Sequence, residues 1–194
     1  MFYEIEVKGH VRVPPILFKE DIKEAITKEL NKKYDGTITK LLGVIMGVTE
    51  IVRIGEGIII PGDGAAYYDT QFKVLAFRPE LQEVVPGKVM EISDFGAFVN
   101  IGPLDGMVHI SQAMDDYVSF SKSNSLTGKE SKRTLKIGDM CRARIIAVSY
   151  KDMANPKIGL TMRQPGLGKE EWLEEDKKKK EKESKKEEKE TKKK

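Results

Sequence analysis

The sequence predicts two fold classes in series: an α+β domain with one helix on an antiparallel sheet, then an all-β barrel of five short strands. Three observations predict this. Residues 3–13 alternate apolar and polar side chains, and a stretch with helical spacing follows them. From Val84 the texture changes to short strands separated by glycine-containing turns. After Gly168 the chain becomes a Lys/Glu run with no apolar residue beyond Leu173, a composition that cannot bury a core. The boundaries implied are 1–82, 83–168 and 169–194.

In the first segment Tyr3, Ile5, Val7, Val11 and Val13 share one face, and Glu4, Glu6, Lys8, His10 and Arg12 the other. That period of two is a strand buried on one side, ended by Pro14-Pro15. A helix is expected from about Lys19 to Lys33, with Ile22, Ala25, Ile26 and Leu30 on one face. Its first turn holds Glu20 and Asp21 and its last Lys32 and Lys33, matching the helix dipole, and Gly36 stops it. Residues 37–54 read as one or two strands, Gly55-Glu56-Gly57 as a hairpin turn into Ile58–Ile60, and Pro61-Gly62-Asp63-Gly64 as a second turn. Tyr68, Thr70, Phe72, Val74 and Ala76 then alternate as a further strand.

The second segment gives strands at 84–92, 95–101, 106–110, 139–148 and 157–163, which suit the small closed barrel of the OB architecture. Residues 111–136 are polar and read as a loop. Within the strands Ala97, Val99 and Ile101 pair as a core face, as do Val108 with Ile110, Cys141, Ala143, Ile145 with Ala147, and Ile158, Leu160 with Met162. This leaves Phe98, Met107, His109, Arg142, Arg144, Lys157, Thr161 and Arg163 outside. Flat rings flanked by cations are what single-stranded nucleic acid requires, because bases stack on rings and cations meet phosphates. The candidate RNA-binding residues are therefore Phe95, Phe98, His109, Arg142, Arg144 and Lys157.

Net charge does not make this a basic protein. The 12 Lys of the tail face 10 acids, and residues 1–168 hold 22 Lys+Arg against 21 Asp+Glu. An RNA surface must come from placement of charge. Cys141 is the single cysteine, so no intrachain disulfide forms, which fits a reducing cytoplasm. The start lacks a signal-peptide pattern, and the longest apolar stretch, 41–48, is too short for a bilayer. Chemistry-bearing clusters are missing from the sequence. His10 and His109 are far apart, Asp115-Asp116 are adjacent rather than spaced for two metals, and the glycine turns lack a phosphate-loop lysine. No cofactor, metal or active site of its own is expected.

The motif is more specific than the composition. Residues 87–111 open on Gly87-Lys88-Val89, carry Phe95-Gly96-Ala97-Phe98-Val99, and close on Gly106-Met107-Val108-His109-Ile110-Ser111. This resembles the S1-type RNA-binding domain, and the match extends through Lys136–Asp139 and Ile158–Met162. The resemblance implies an RNA face of two aromatics at Phe95 and Phe98, a histidine at His109 and a basic residue at Lys157. Its acid would fall near Ser149, where the chain departs, with Asp152 close by.

Val11-Arg12-Val13-Pro14-Pro15, the Pro61–Gly64 turn with its aromatic strand, and residues 160–168 resemble the E-prime family of stalk subunits of archaeal RNA polymerase, equivalent to the seventh subunit of eukaryotic RNA polymerase II. That resemblance implies a truncated RNP-like tip domain docking into the polymerase large subunits, with Pro61, Gly62, Asp63 and Gly64 as the docking segment. It also implies a heterodimer with the small helical F-type subunit of the polymerase, contact with initiation factors during open-complex formation, and capture of nascent single-stranded RNA. A stand-alone S1-domain regulator or an exosome-cap-like protein is the alternative.

Overall fold

The computed structural model describes residues 1–121, 124–152 and 156–178. They form two compact units, Met1–Pro79 and the chain from Glu80 onward. In the first, β1 (Phe2–Val13), α1 (Ile22–Tyr34), β2 (Ile38–Thr39), β3 (Gly43–Ile59) and β4 (Ala66–Phe77) follow in order. The sheet is antiparallel in the order β1-β4-β3-β2, and β1 runs against β4 from Phe2↔Phe77 to Val13↔Ala66. Alternation along β1 and β4 turns Val11, Val13, Phe72 and Val74 into one core with Ala25, Ile26 and Leu30 of α1. Each such large apolar side chain contributes about 1.5–3 kcal/mol by leaving water.

The helix begins later than the periodicity predicts. Pro14 and Pro15 start a short 3-10 turn, Pro15–Lys19, which takes up the residues expected in the first helical turn. Asp21 is the N-cap, its carboxylate accepting the Lys23 N–H at 3.2 Å, so Glu24 is the acid of the first turn. Ile22 stands half exposed instead of joining the buried face. Lys32 and Lys33 do occupy the last turn, and Gly36 follows with φ +70°.

Gly55-Glu56-Gly57 is not a hairpin. β3 runs through it to Ile59, and the register against β4 slips between Ile54↔Thr70 and Gly57↔Tyr68. A Cβ at Gly55 would lie 2.9 Å from the Asp69 carbonyl oxygen, and one at Gly57 2.6 Å from the Tyr68 ring. The glycines mark a bulge with close backbone approach, the second meaning that glycine carries within strands.

The second unit is a closed barrel of β5 (Val84–Ser93), β6 (Gly96–Asn100), β7 (Asp105–His109), β11 (Met140–Ser149) and β12 (Lys157–Thr161). The order is β12-β7-β6-β5-β11, and β11 returns to pair with β12. Val89, Ala97, Val99, Val108, Ala143, Ile145 and Leu160 fill it. Cys141 lies among them, its thiol pushed up to about 12 by burial, so it stays protonated. Ala147, expected inward, is exposed, because β11 bulges after Ile145 against β12.

Residues 111–136 are more than a loop. After a 3-10 turn, Ile110–Gln112, they form a three-stranded antiparallel sheet of β8 (Val118–Ser121), β9 (Ser125–Gly128) and β10 (Thr134–Lys136). Leu126 and Leu135 pair across it and are fully buried, which gives the polar segment its core. The tail expectation also changes at its start. Gly168–Lys169 forms β13 on β11, and a helix, α2, occupies 170–178. Trp172 is buried there under the Arg133 guanidinium, which ion-pairs with Asp176, and Lys169 Nζ sits 3.0 Å from Asp139. One aromatic and two ion pairs suffice to seat a short amphipathic turn. Residues 179–194, the rest of the expected solvated tail, lie outside the described residues.

Candidate nucleic-acid interface

The aromatic pair is built by one glycine. Gly96 opens β6 with φ +154°, opposite His109 of β7. A Cβ there would fall 2.1 Å from the Val108 carbonyl oxygen. Only glycine lets β6 approach β7 so closely, and the approach places His109 beside the start of β6. Phe95 stands in the turn just before it, 47% exposed. Phe98, two residues on, shares the outer face of β6 and is half-buried. The two rings meet edge to face at 6.0 Å between centroids and 85° between planes. This T-shaped contact stiffens both rings and leaves ring surface open to a ligand.

Around the pair the register defines rows of outward residues. Phe98 pairs with Met107 on β7, and Met107 pairs in turn with Gly159 on β12. On the other side Phe98 pairs with Glu91 of β5. A second row runs through His109. Its Nδ1 lies 2.8 Å from Ser111 Oγ and accepts the Ser111 N–H at 3.3 Å, which fixes the ring at the mouth of β7. One residue beyond the Leu160–Val108 pair, Thr161 of β12 stands next to His109, and Thr161 pairs with Arg144 of β11. The Nε of Arg144 is buried and finds no hydrogen-bond partner among the described residues.

The predicted residues therefore divide. Phe95, Phe98 and His109 are brought together, with Arg144 joined to them through Thr161. Lys157 lies two residues along β12 from Gly159, about 7 Å, and pairs with Ser149, the position where an acid was expected. Arg142 pairs with Pro86, five residues along β5 from Glu91, a run of about 17 Å, and on the strand beyond. Thr161 and Arg163, expected outside, are both engaged: Thr161 is buried and donates its hydroxyl to Gln112 Oε1, and Arg163 pairs with Asp115. Glu91 and Met107 complete the surroundings of Phe98. Met107 was legible as an outward residue, but Glu91 becomes its neighbour only through the cross-strand register.

The Pro61–Gly64 turn is exposed between β3 and β4. Gly62 and Gly64 have φ +97° and +68° with nothing within 4 Å of an added Cβ, so the turn geometry requires them rather than close packing inside this chain. Asp63 is held from both sides. Arg12 donates Nε and Nη2 to its two oxygens at 2.9 and 2.6 Å, and Tyr67 donates its hydroxyl to Oδ2. These bonds hold the carboxyl at about 2, well below the usual carboxylate range. The partner is 51 residues away in sequence, and no local signal announces it. Ile58, Ile59 and Ile60, which lead into the turn, are all exposed.

Among the described residues no group of three His, Cys, Asp or Glu could hold a metal ion. None of their helices is long and apolar enough to cross a membrane.

Comparisons agree with this architecture. Residues 8–64 match the family described as the SHS2 domain found in the N terminus of Rpb7p/Rpc25p/MJ0397, and residues 78–155 match the S1 RNA binding domain. The chain is similar to DNA-directed RNA polymerase subunit Rpo7 of Sulfolobus acidocaldarius, 40% identical over 91% of this chain and 97% of that one. It is 39% identical to the Rpo7 subunit of Saccharolobus solfataricus, over 92% of this chain and all of that one. DNA-directed RNA polymerase III subunit RPC8 of Bos taurus is 26% identical over 78% of each chain.

Proposed function

Because the chain belongs to the Rpo7 family of DNA-directed RNA polymerase subunits, we propose that it serves as a non-catalytic stalk subunit that holds emerging single-stranded RNA. The observation that carries this reading is the pairing of the likeness to Rpo7 over 91% of this chain with a T-shaped pair on the barrel, Phe95 exposed and Phe98 half-buried. Bases stack on the rings, which accept any sequence because every base has a π-face. His109 adds a third ring at the edge of the platform. Arg144 and Lys157 supply charge for phosphates along the flanking strands, and Arg142 extends it further round the barrel. Glu91, beside Phe98, offers an acceptor to the amino group of a stacked base.

The N-terminal unit supplies assembly in this proposal. The turn Pro61–Gly64 docks into the large polymerase subunits, with Ile58–Ile60 as its apolar approach. Arg12 and Tyr67 keep the turn in one shape, so docking costs little ordering entropy. The small helical F-type polymerase subunit is the heterodimer partner. The stalk assists open-complex formation together with initiation factors and also assists elongation, and the compartment is the cytoplasm. Nucleotidyl transfer belongs to the large subunits.

The test is a tagged pull-down from native extract with mass spectrometry of what co-purifies. A small helical partner together with the large polymerase subunits is expected. Recovery of exosome or ribosomal components, or of nothing, would withdraw the stalk assignment.

A further inference from the structure

We propose that the β8–β10 insert carries a second contact for the same single-stranded RNA, centred on Tyr117 and Lys129. The inference rests on the reading of the barrel face as RNA-binding. Three observations lead to it.

The first is the face itself. Val118↔Gly128 and Ser119↔Thr127 set the register of β8 on β9, and the Lys129 N–H donates to the Tyr117 carbonyl at 2.9 Å, carrying the pairing one step further. Tyr117 thus stands across from Lys129. Thr134 and Lys136 of β10 extend the same face opposite Thr127 and Ser125. The opposite face carries Val118, Phe120, Leu126 and Leu135. The open face presents one aromatic ring, the hydroxyls of Ser119, Thr127 and Thr134, and two lysines, with no carboxylate among these residues. Tyr117 is 69% exposed, and the Lys129 ammonium lies 4.7 Å from its ring centroid. A base can stack on the free side of the ring while the cation meets the adjoining phosphate.

The second is rigidity. Asp116, next to Tyr117, is wholly occupied in holding the platform. Its Oδ2 accepts the N–H groups of Glu130 and Ser131 and the Ser131 hydroxyl at 2.9–3.0 Å, and its Oδ1 accepts the Tyr117 N–H. The ring is presented from a tied turn, which lowers the ordering cost of binding.

The third is charge. The insert, residues 111–136, contains five Lys or Arg against three acids, a net of +2, while the rest of residues 1–168 contains 17 against 18, a net of −1. The insert is the basic module of an otherwise nearly neutral body, which favours a phosphate polymer over a protein partner. It also continues the described site. The turn Ile110–Gln112 follows His109 directly, and Gln112 is bound to Thr161 and Met162 of the barrel at 2.8 Å each. Tyr117 lies eight steps along the chain from His109, a span of at most about 28 Å.

The experiment measures binding of the full chain to single-stranded RNA of about 4 and about 16 nucleotides, the limits engaged by one OB fold. Tyr117→Ala should weaken the longer RNA roughly five- to hundredfold, the loss of one stacked base, with the shorter RNA unaffected. Tyr117→Trp should keep the longer RNA at wild-type affinity. An exposed ring leaves no cavity, and unchanged circular dichroism would confirm the fold of both variants. Wild-type affinity of Tyr117→Ala for the longer RNA overturns the proposal, including the case where it loses a protein partner instead. Phe98→Ala separates the two readings. If it weakens the short RNA while Tyr117→Ala is silent, only the insert contact fails; if it leaves the short RNA unchanged, the barrel reading fails.

Discussion

Phe98 sits where two requirements meet. Its backbone belongs to the barrel wall, between Ala97 and Val99, which are fully buried, while its ring faces out against Phe95. Removing the ring therefore touches binding before stability. Phe98→Ala should weaken single-stranded RNA binding by about 1–3 kcal/mol, with His109→Ala giving a smaller loss in the same direction. Filter binding on the folded variants measures both, and unchanged affinity in the two would remove them from the site. Asp63 shows the converse, a polar side chain spent on structure. Its carboxyl is held at about 2 by Arg12 and Tyr67 and would titrate near 3.9 in the unfolded chain. A depressed folded value means the pair supports the turn fully above about pH 4 and loses that support as pH falls toward 2. Asp63→Asn should thus flatten the acid limb of the stability curve between pH 4 and 2 relative to wild type, read by chemical denaturation at each pH. An identical limb in the variant would show that the pair does not stabilise the fold.

Elements differ in how much of them local pattern could reveal. β1, β4, β6 and β7 are each buried on one side, so a period of two in the sequence sets which residues point out, and Phe98, Met107 and His109 follow from it. The Asp63 constellation and the proximity of Arg144 to His109 depend on register across strands far apart in sequence, which no local pattern encodes. Gly55 and Gly57 misled because glycine serves both turns and bulges, and only the Asp69 and Tyr68 contacts decide between them. The β8–β10 insert looked like a loop because its core is two leucines in a polar stretch. α2 hid for the same reason, with Trp172 as its one large apolar anchor. Trp172→Ala should accordingly cost about 3–5 kcal/mol, the range for a buried aromatic, and free Arg133 from its ring and from Asp176. Deleting 179–194 should leave the melting temperature of the barrel where it is. Thermal unfolding of the two variants separates these outcomes; equal effects would mean that the Lys/Glu run is part of the folded unit.

At the scale of the whole molecule, residues 1–168 carry a net charge of only +1, so long-range attraction to RNA is weak and binding must come from placed contacts. The cations facing the proposed path are few: Arg144, Lys157 and Arg142 on the barrel, and Lys129 and Lys136 on the insert. Single-stranded RNA releases counterions with a slope of about −0.7 per phosphate neutralised, so three or four such contacts give log K against log salt a slope of about −2 to −3. Residues 169–194 as a whole carry 12 lysines against 10 acids, and the stretch 179–194 alone carries nine lysines against five acids, a net of +4, so its deletion tests the terminal run directly. The expected result is a slope in this range that survives deletion of 179–194 and shallows by about 0.7 with Lys157→Gln. A slope near zero would contradict a groove built on phosphate contacts. A steeper slope that collapses on deletion would move the electrostatic binding from the barrel to the terminal run, leaving Phe95 and Phe98 as a stacking platform without its own cations.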